Sequence, residues 1–419
     1  MQYATTVNEI LNAVNPRPLD GDSQFYVETM EARTGNPCIS PIQDIMDACE
    51  FPQEQNAMLL LGHRGCGKST ELNKMSAHLE QEGYPVYTVY CEKELDPLNI
   101  EYTDILILMG DSLLQLAGRK HIALASSLIS AVHSFWRTAI EEEKIVESGV
   151  DIEGSAGLNA LFILIKGILK YNASRRTIWR TTVERKSSEW LNLLGQVIAA
   201  ISEVTGGKQP VLIFEDLDKL APEAAWRVFS NYSKNLSSLP SPVIYTFPIA
   251  LYFSPEFTAI DGFFKYYTLP MIKVHEQNGE RCGEGFDTIR DIIRKRINLE
   301  LFQGDLLDTI IEKTGGSLRN LFNVIENAGK LARRRGSRSI EQSDVNYALT
   351  TLKSDITRRL DDNYYDFLAE IANGQHEKIT MKEKLLDMLQ AGAVLEYNGK
   401  RWHDVHPLVK DFLEEQNLL

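Results

Sequence analysis

The sequence predicts an α/β fold that carries additional helical regions and a small C-terminal domain. Two apolar runs, Ala57–Leu61 and Pro210–Phe214, have the length and composition of buried strands. A glycine-rich stretch follows the first run and leads directly into a helical pattern. From residue 276 onward, apolar residues recur at the three/four spacing of amphipathic helices. These features predict a sheet core followed by a helical domain.

The glycine-rich stretch "LLLGHRGCGKST", Leu59–Thr70, fits the pattern G-x-x-x-x-G-K-[ST]. Glycines let backbone N–H groups converge on phosphates, and the start of the following helix adds a favourable dipole. We expect Lys68 to reach the terminal phosphates and the Ser69 hydroxyl to ligate Mg²⁺. The residues predicted to form the phosphate cradle are Gly62, His63, Arg64, Gly65, Cys66, Gly67, Lys68, Ser69 and Thr70.

Three acidic residues follow the second strand in "VLIFEDLDKL", Val211–Leu220. Acids at a strand end downstream of a phosphate loop are suited to orient a metal and to polarise an attacking water. By spacing, Glu215 takes the metal side and Asp216 the water-activating position. Asp218 is predicted to cap the next helix, which has Pro222 near its first turn.

Together, these two motifs resemble the AAA+ and STAND branch of the P-loop ATPases, especially origin-recognition initiators and related bacterial ATPases. The resemblance implies ATP and Mg²⁺ as ligands and a three-layer P-loop core with a five-stranded parallel sheet. Glu215 stands where the family usually has Asp, so Ser69, Glu215 and Asp216 are all predicted metal ligands. The five strands are placed at Ala57–Leu61, Pro85–Tyr90, Val211–Phe214, Val243–Phe247 and Tyr266–Leu269.

The resemblance also assigns two residues that sense the nucleotide. Thr246, at the end of the fourth strand, is expected to touch the γ-phosphate or the water. Arg319 in "GGSLRNLF" falls in the first turn of a helix, where a cation opposes the dipole and needs an anionic partner such as a phosphate. The predicted catalytic residues are thus Asp216, Glu215, Lys68, Arg319 and Thr246. The arginine finger of the family is missing from "SPEFTAIDGFFKYYTLP" and "TFPIALYF".

The predicted domains are a lead-in segment (1–50), an ATPase core (51–275) with a helical insertion (100–208), an all-α lid (276–354) and a winged helix (355–419). A hairpin around Asn398-Gly399 predicts the wing, which has Lys400 and Arg401 at its tip. For the insertion, three interpretations stay open. It supplies the missing arginine in trans from Arg180 or Arg185, docks a partner or membrane surface through Leu158–Tyr171, or packs on the core as a helical subdomain.

Composition and charge limit the classes of partner that we expect the protein to bind. A net charge of −14 argues against a surface coated with basic residues for nucleic acid. The last 65 residues carry more acids than bases, which favours protein contacts over DNA for the predicted winged helix. A basic cluster in the lid is compatible either with DNA or with a solvated helix end, and comprises Lys330, Arg333, Arg334, Arg335 and Arg338. Scattered cysteines and the lack of an apolar stretch of about 20 residues predict a cytoplasmic protein without stable membrane insertion.

The expected function is a slow ATPase that acts as a nucleotide-dependent switch or assembly platform. We expect a homo-oligomer with a protein partner or effector. Bacterial relatives of this architecture imply a role in antiphage defence or in mobile-element systems. One alternative is a DNA-engaging ATPase of the initiator or transposition-regulator kind, and another is a scaffold that binds ATP without significant turnover.

Overall fold

A computed structural model describes residues 2–51, 55–142, 173–374, 382–397 and 402–419 of the 419-residue chain. Two features singled out in the sequence lie outside these residues. They are the apolar segment Leu158–Tyr171 and the predicted wing tip, Asn398 to Arg401.

The centre of the protein is a parallel sheet in the order β2-β3-β4-β1-β5. Helices cover both faces, which is why β1, β3 and β4 have no exposed positions and are apolar except for Glu215 and Thr246. The five predicted strands are all present, and their ends differ from the prediction by one residue at most. Their bounds are β1 Ala57–Leu61, β2 Val86–Tyr90, β3 Val211–Glu215, β4 Val243–Phe247 and β5 Lys265–Thr268.

The strand order brings the carboxyl ends of β1, β3 and β4 to one edge of the sheet. The phosphate loop follows β1 at this edge, and the three acids lie at and just after the end of β3. Thr246 is the second-last residue of β4. Ligands of open α/β sheets bind outside the carboxyl ends of the strands, where the strand order reverses. The fold therefore assembles the predicted site from segments that are far apart in the sequence.

The core helices are Pro41–Glu50, Lys68–Gln81 (the P-loop helix), Cys91–Glu94, Pro222–Phe229, Ser233–Leu236 and Ile249–Tyr252. Single 3-10 turns span Leu217–Lys219 and Pro255–Ala259. The helices described in the insertion are Tyr102–Arg119, Ser126–Glu142, Ala173–Arg185 and Ser187–Val204.

The described part of the insertion is a helical layer packed on the sheet. Its centre is a set of fully buried indoles, Trp136, Trp179 and Trp190, which belong to the same hydrophobic core as the strands. Arg180 is buried beside them and donates to Glu101 at 2.7 Å and to Asp104 at 3.0 Å. This guanidinium is internally paired, so Arg180 does not offer a free charge to a neighbouring molecule.

The lid follows the sheet as a group of helices, Gly283–Arg294, Leu306–Lys313, Leu318–Arg335 and Gln342–Thr357, with a 3-10 turn at Leu299–Leu301. The N-terminal residues join its core, since Ala4 pairs with Ile297 and the side chain of Ile10 is buried against the lid. The first 50 residues are thus divided between the lid and the sheet core. Their helical segments are Val7–Glu9, Ile10–Ala13 and Met30–Thr34.

The C-terminal unit has a helix–helix–hairpin–helix order. Its elements are Asp362–Tyr364, Tyr365–Ala372, Lys382–Ala391, β6 Val394–Tyr397, β7 Trp402–Val405 and Pro407–Glu415. The order is compatible with the predicted winged helix, which stays a prediction. The hairpin lies on the core and lid, because Met271 N–H donates to the Glu396 carbonyl at 3.2 Å and the Tyr397 hydroxyl donates to the Gly315 carbonyl at 2.9 Å. In the described ranges, we find no helix with the length and hydrophobicity of a membrane span.

Candidate nucleotide-binding site

The phosphate loop connects β1 to the P-loop helix, which begins at Lys68. The Lys68 ammonium group donates to the carbonyls of Gly62 at 2.7 Å and His63 at 3.0 Å, so the side chain folds back over its own loop. The first N–H groups of a helix have no partner within the helix and are available to an anion. The loop thus combines a buried cation with the N-terminus of a helix, as a phosphate site requires.

Arg319 reaches this loop because the lid helix Leu318–Arg335 begins directly on it. Gly65 has a φ of 86°, and a side chain there would place its Cβ 2.5 Å from the Arg319 Cβ. The Arg319 N–H donates to the Gly65 carbonyl at 3.3 Å, and the Ser317 hydroxyl caps the helix. Arg319 and Lys68 line the same cleft, which also includes Ser69, Thr70, Asp216 and Asp218. Arg319 is exposed there, without a described residue bonded to its guanidinium.

Ser69 lines the cleft and contacts the buried side chain of Glu215. The Ser69 hydroxyl donates to one carboxylate oxygen of Glu215 at 2.9 Å. The other oxygen is buried and has no hydrogen-bond partner among the described residues. Burial raises the pKa of Glu215 to about 7, and the negative charges of Asp218 and Asp216 act in the same direction.

These residues fit a bound Mg²⁺ ion. A divalent cation beside Ser69 and Glu215 would give the orphaned oxygen a ligand and would offset the charge of the neighbouring acids. Mg²⁺ commonly takes one or two carboxylates and completes its shell with phosphate oxygens and water. In the described part of the chain, no group of three or more His, Cys, Asp or Glu side chains is placed to hold a metal ion.

Asp218 occupies the cleft instead of capping the next helix, so that prediction is wrong. Its carboxylate lies 2.9 Å from the Lys68 ammonium group, and both side chains are buried. Burial opposes ionisation, but the charge of Lys68 outweighs it and the pKa of Asp218 lies below its usual range. The helix Pro222–Phe229 follows Ala221 and has no side-chain cap. A capping residue directly precedes the first helical residue, so the spacing already placed Asp218 too far upstream.

Asp216 also lines the cleft, and its backbone is unusual. Its φ of 73° is in the left-handed region, which non-glycine residues seldom adopt. The carboxylate lies 2.8 Å from the Lys219 ammonium group. Unfavourable backbone conformations of this kind concentrate at functional sites, where the surrounding structure enforces them.

Thr246 lies beneath these acids and not in the cleft. Its side chain is fully buried, and its hydroxyl accepts a hydrogen bond from the Leu217 N–H at 3.1 Å. Thr246 lines none of the cavities described around the phosphate loop. Thr246 therefore supports the turn that carries Asp216 and Asp218. This contact differs from the expected contact with phosphate or water.

Residues of the phosphate loop are hydrogen-bonded to three other parts of the protein. The His63 ring accepts a hydrogen bond from the Glu396 N–H of the C-terminal hairpin at 2.9 Å, and burial lowers the pKa of His63 to about 3. Arg64 donates to the Lys219 carbonyl at 2.7 Å. The Cys66 carbonyl accepts from Arg33, a buried residue of the N-terminal segment, at 2.6 Å. The His63 ring and the Cys66 carbonyl are thus engaged away from the predicted cradle, whereas Arg64 still lines the cleft.

Thr70 completes the predicted cradle, and its hydroxyl accepts a hydrogen bond from the Leu19 N–H at 3.1 Å. The N-terminal segment therefore reaches the site, which the sequence did not indicate. Residues Pro16, Arg17 and Pro18 line the same cleft of about 110 Å³ as Lys68 and Ser69. Their signal in the sequence is weak, because a short Pro-Arg-Pro run indicates only an extended segment.

Comparisons with known proteins found similarity to solved structures and to no sequence family. No protein-family model matches the sequence, and no curated protein matches it. The chain is similar to a Walker-type ATPase of Pyrococcus abyssi, with 14% identity, 96% of this chain and 99% of that chain covered, and a TM-score of 0.47. It is also similar to the ORC1 protein of Aeropyrum pernix in complex with DNA, with 10% identity, coverage of 98% and 96%, and a TM-score of 0.42.

A third similar structure is Drosophila ORC bound to DNA, with 10% identity, coverage of 93% of this chain and 78% of that chain, and a TM-score of 0.41. At such identities the likeness concerns the course of the chain, and the chemistry of the site depends on this chain's own residues.

Proposed function

We propose that the protein binds and slowly hydrolyses Mg-ATP and acts as a nucleotide-dependent switch. The observation that carries this proposal is the arrangement of Lys68, Asp218, Ser69 and Glu215 at the carboxyl edge of the sheet. Lys68 is held by a carboxylate that an incoming phosphate must replace. Ser69 and Glu215 form a pair with one oxygen left for a metal.

In this proposal each residue has a distinct task. Ser69 and Glu215 would hold Mg²⁺, which supplies positive charge to the terminal phosphates when bound. Lys68 and Arg319 bind the phosphates from opposite sides of the loop. Asp216 orients the attacking water and accepts its proton. Turnover is slow because Asp216 is engaged by Lys219 and must be freed before it can act.

Contacts between the phosphate loop and the C-terminal hairpin support a switch. Lys68 donates to the His63 carbonyl while the His63 ring accepts from the Glu396 N–H. When the Lys68 ammonium group moves to a phosphate, it releases the carbonyl of His63, the residue whose ring binds the hairpin. The hairpin also contacts the lid through Tyr397 and Gly315, so the phosphate loop and the lid both act on it.

Hydrogen exchange of the full-length protein tests the switch. We expect amides of Val394–Tyr397 to exchange faster in Mg-ATP than in Mg-ADP or without nucleotide. Asp216→Asn, which should bind ATP without turnover, is expected to hold the ATP pattern for longer. Native mass measurement on the same samples tests whether nucleotide changes the oligomer. If ATP binds and both the hairpin exchange and the mass stay unchanged, the protein is a scaffold and not a switch.

A DNA-engaging ATPase is the second candidate, and the exposed arginines of the lid favour it. Arg333 and Arg334 are exposed at the end of the lid helix. Two other members of the predicted basic cluster are paired with acids, since Lys330 lies 2.5 Å from Glu326 and Arg335 lies 2.8 Å from Asp344. The free charge of the cluster is therefore smaller than the sequence suggested.

Duplex affinity measured over a range of salt concentrations separates the two candidates. A DNA-engaging protein should lose affinity steeply as salt rises, and an Arg333→Ala/Arg334→Ala variant should show a shallower slope. For the biological process, the resemblance supports antiphage defence or a mobile-element system. Phage challenge of cells that carry the wild type or Lys68→Ala tests this assignment.

A further inference from the structure

The N-terminal segment crosses from the lid to the P-loop helix over the proposed nucleotide site. On the lid side, Ala4 N–H donates to the Arg296 carbonyl at 2.8 Å. On the core side, Leu19 N–H donates to the Thr70 hydroxyl at 3.1 Å and the Leu19 carbonyl accepts from Asn73 at 2.8 Å. We call residues 15–19 the strap. Val14, directly before it, is buried in the lid core, Leu19 at its end is bonded to the P-loop helix, and residues 16–18 between them line the cleft.

Gly21 shows how closely the end of the strap lies on the P-loop helix. A Cβ at this position would be 2.5 Å from both the Asn73 carbonyl oxygen and the Ala77 side chain. No side chain fits there, so the backbone of the N-terminal segment rests directly on the helix. The strap is therefore positioned by the same helix whose first turn forms part of the phosphate cradle.

Arg17 is the charged residue of the strap. It stands between Pro16 and Pro18, whose rings restrict the backbone on both sides of it. All three residues line the cleft with Lys68, Ser69 and Thr70. A guanidinium on a restricted backbone loses less conformational freedom when it binds a ligand than one on a flexible loop.

The charge of Arg17 is uncompensated within the described chain. Two other cations of the cleft are paired with acids, Lys68 with Asp218 and Lys219 with Asp216. Arg64 donates to the Lys219 carbonyl, and Arg319, like Arg17, has no described partner for its guanidinium. Arg17 is exposed, and in the described ranges its guanidinium has neither an ion pair nor a hydrogen bond. A planar guanidinium that stays charged at all relevant pH values is suited to bind phosphate oxygens in a bidentate manner.

We propose that Arg17 binds the phosphate chain of the nucleotide in cis, from the strap. This inference rests on the proposed function, since it names a further ligand-binding residue of the same site. The strap is tied to Thr70, and backbone donors at this end of the loop cradle the inner phosphates whereas Lys68 reaches the outer ones. Arg17 therefore contributes to binding of both ADP and ATP. Arg319, on the lid side, favours ATP.

Equilibrium binding of fluorescent ATP and ADP analogues to the full-length chain tests the assignment. Arg17→Ala is expected to raise Kd by roughly tenfold or more for both nucleotides, as for loss of a charge-assisted hydrogen bond. Arg17→Lys keeps the charge but not the fork and should recover part of the affinity. Arg319→Ala should weaken ATP more than ADP. Arg227→Ala, an exposed arginine outside the cleft, is the matched control and should bind like the wild type.

The outcomes distinguish this inference from the function on which it rests. If the wild type binds both analogues and Arg17→Ala changes neither Kd by more than twofold, Arg17 is not a ligand-binding residue and the proposed function stands. An effect of Arg17→Ala on ATP alone would place Arg17 at the terminal phosphate and overturn the assignment to the inner phosphates. If the wild type binds neither analogue, both proposals fall.

Discussion

The ammonium group of Lys68 lies 2.9 Å from the carboxylate of Asp218, and both side chains are almost completely withdrawn from solvent. A phosphate that enters the loop competes with this carboxylate for the same cation. Two buried charges stabilise each other only while both are present, and loss of one leaves the other unpaired. The ion pair therefore links the stability of the unliganded protein to its affinity for nucleotide.

Asp218→Asn should separate these two effects. We expect it to lower the free energy of unfolding without ligand by roughly 3–5 kcal/mol, because a buried Lys68 is left unpaired. The same change should increase the stabilisation by Mg-ATP, since no carboxylate then competes for Lys68. Denaturant unfolding and thermal melting with and without nucleotide measure both effects.

The double variant Lys68→Ala/Asp218→Ala is the matched control. It removes both charges and should regain much of the stability lost in Asp218→Asn, but it should not respond to nucleotide. In the wild type, nucleotide at 100 times Kd should add about 2.7 kcal/mol. A double variant that keeps this response would show that the nucleotide binds elsewhere.

Glu215 should make stability and metal binding depend on pH. Its pKa in the folded protein, about 7, lies above the ordinary value of 4.5, so the folded state holds the proton more tightly than the unfolded state. The contribution of Glu215 to stability therefore falls as pH rises from about 4.5 to about 7, by a total on the order of 3 kcal/mol. Above this range both states are ionised and the loss is complete.

Gln at this position cannot ionise, so Glu215→Gln should lack this pH-dependent contribution to stability. The difference in unfolding free energy between wild type and Glu215→Gln, followed from pH 4.5 to 8, isolates it from all other titrating groups. Metal binding requires the ionised carboxylate, so Mg²⁺-dependent ATP affinity should rise through pH 7 in the wild type and stay flat in the variant. Parallel stability curves for the two proteins would contradict the raised pKa.

The sequence predicts those parts of the site that short, local sequence patterns specify. The phosphate loop and the buried strands follow from short patterns, and Ser69 and Glu215 do meet as the spacing of two strand ends implies. The roles of Asp218 and Thr246 depend on how the turn after β3 folds back, which no local pattern specifies. Both residues were predicted to face other partners than those they contact.

Long-range packing accounts for the remaining differences. In the sequence, Arg180 is a candidate for the missing arginine in trans, yet Glu101 and Asp104, about 80 positions earlier, pair with its guanidinium. Likewise, nothing near residue 17 indicates that it joins the phosphate loop. The hydrogen bond between Leu19 and Thr70, which are 51 positions apart, brings residue 17 to the loop.

Asp216→Asn should separate binding from hydrolysis. If Asp216 orients and deprotonates the attacking water, its amide variant should lose about 10²- to 10⁴-fold in turnover, as is typical for a general base. ATP affinity should stay near that of the wild type, because Asp216 is paired with Lys219 and not with the phosphate-binding cation. Phosphate release in single-turnover experiments, run beside nucleotide binding, measures the two effects. Asp218→Asn with the larger loss of turnover would transfer the catalytic role to Asp218.

Thr246→Val should impair turnover more than binding. The variant keeps the shape of the side chain but leaves the buried Leu217 N–H without its acceptor, which costs about 1–3 kcal/mol of stability. The turn that carries Asp216 should then lose its fixed position, so turnover falls while Kd for ATP changes little. Thr246→Ser retains the hydroxyl and should remain close to the wild type in both respects. If Thr246→Val instead loses ATP affinity at unchanged stability, the hydroxyl contacts the phosphate directly and does not support the turn.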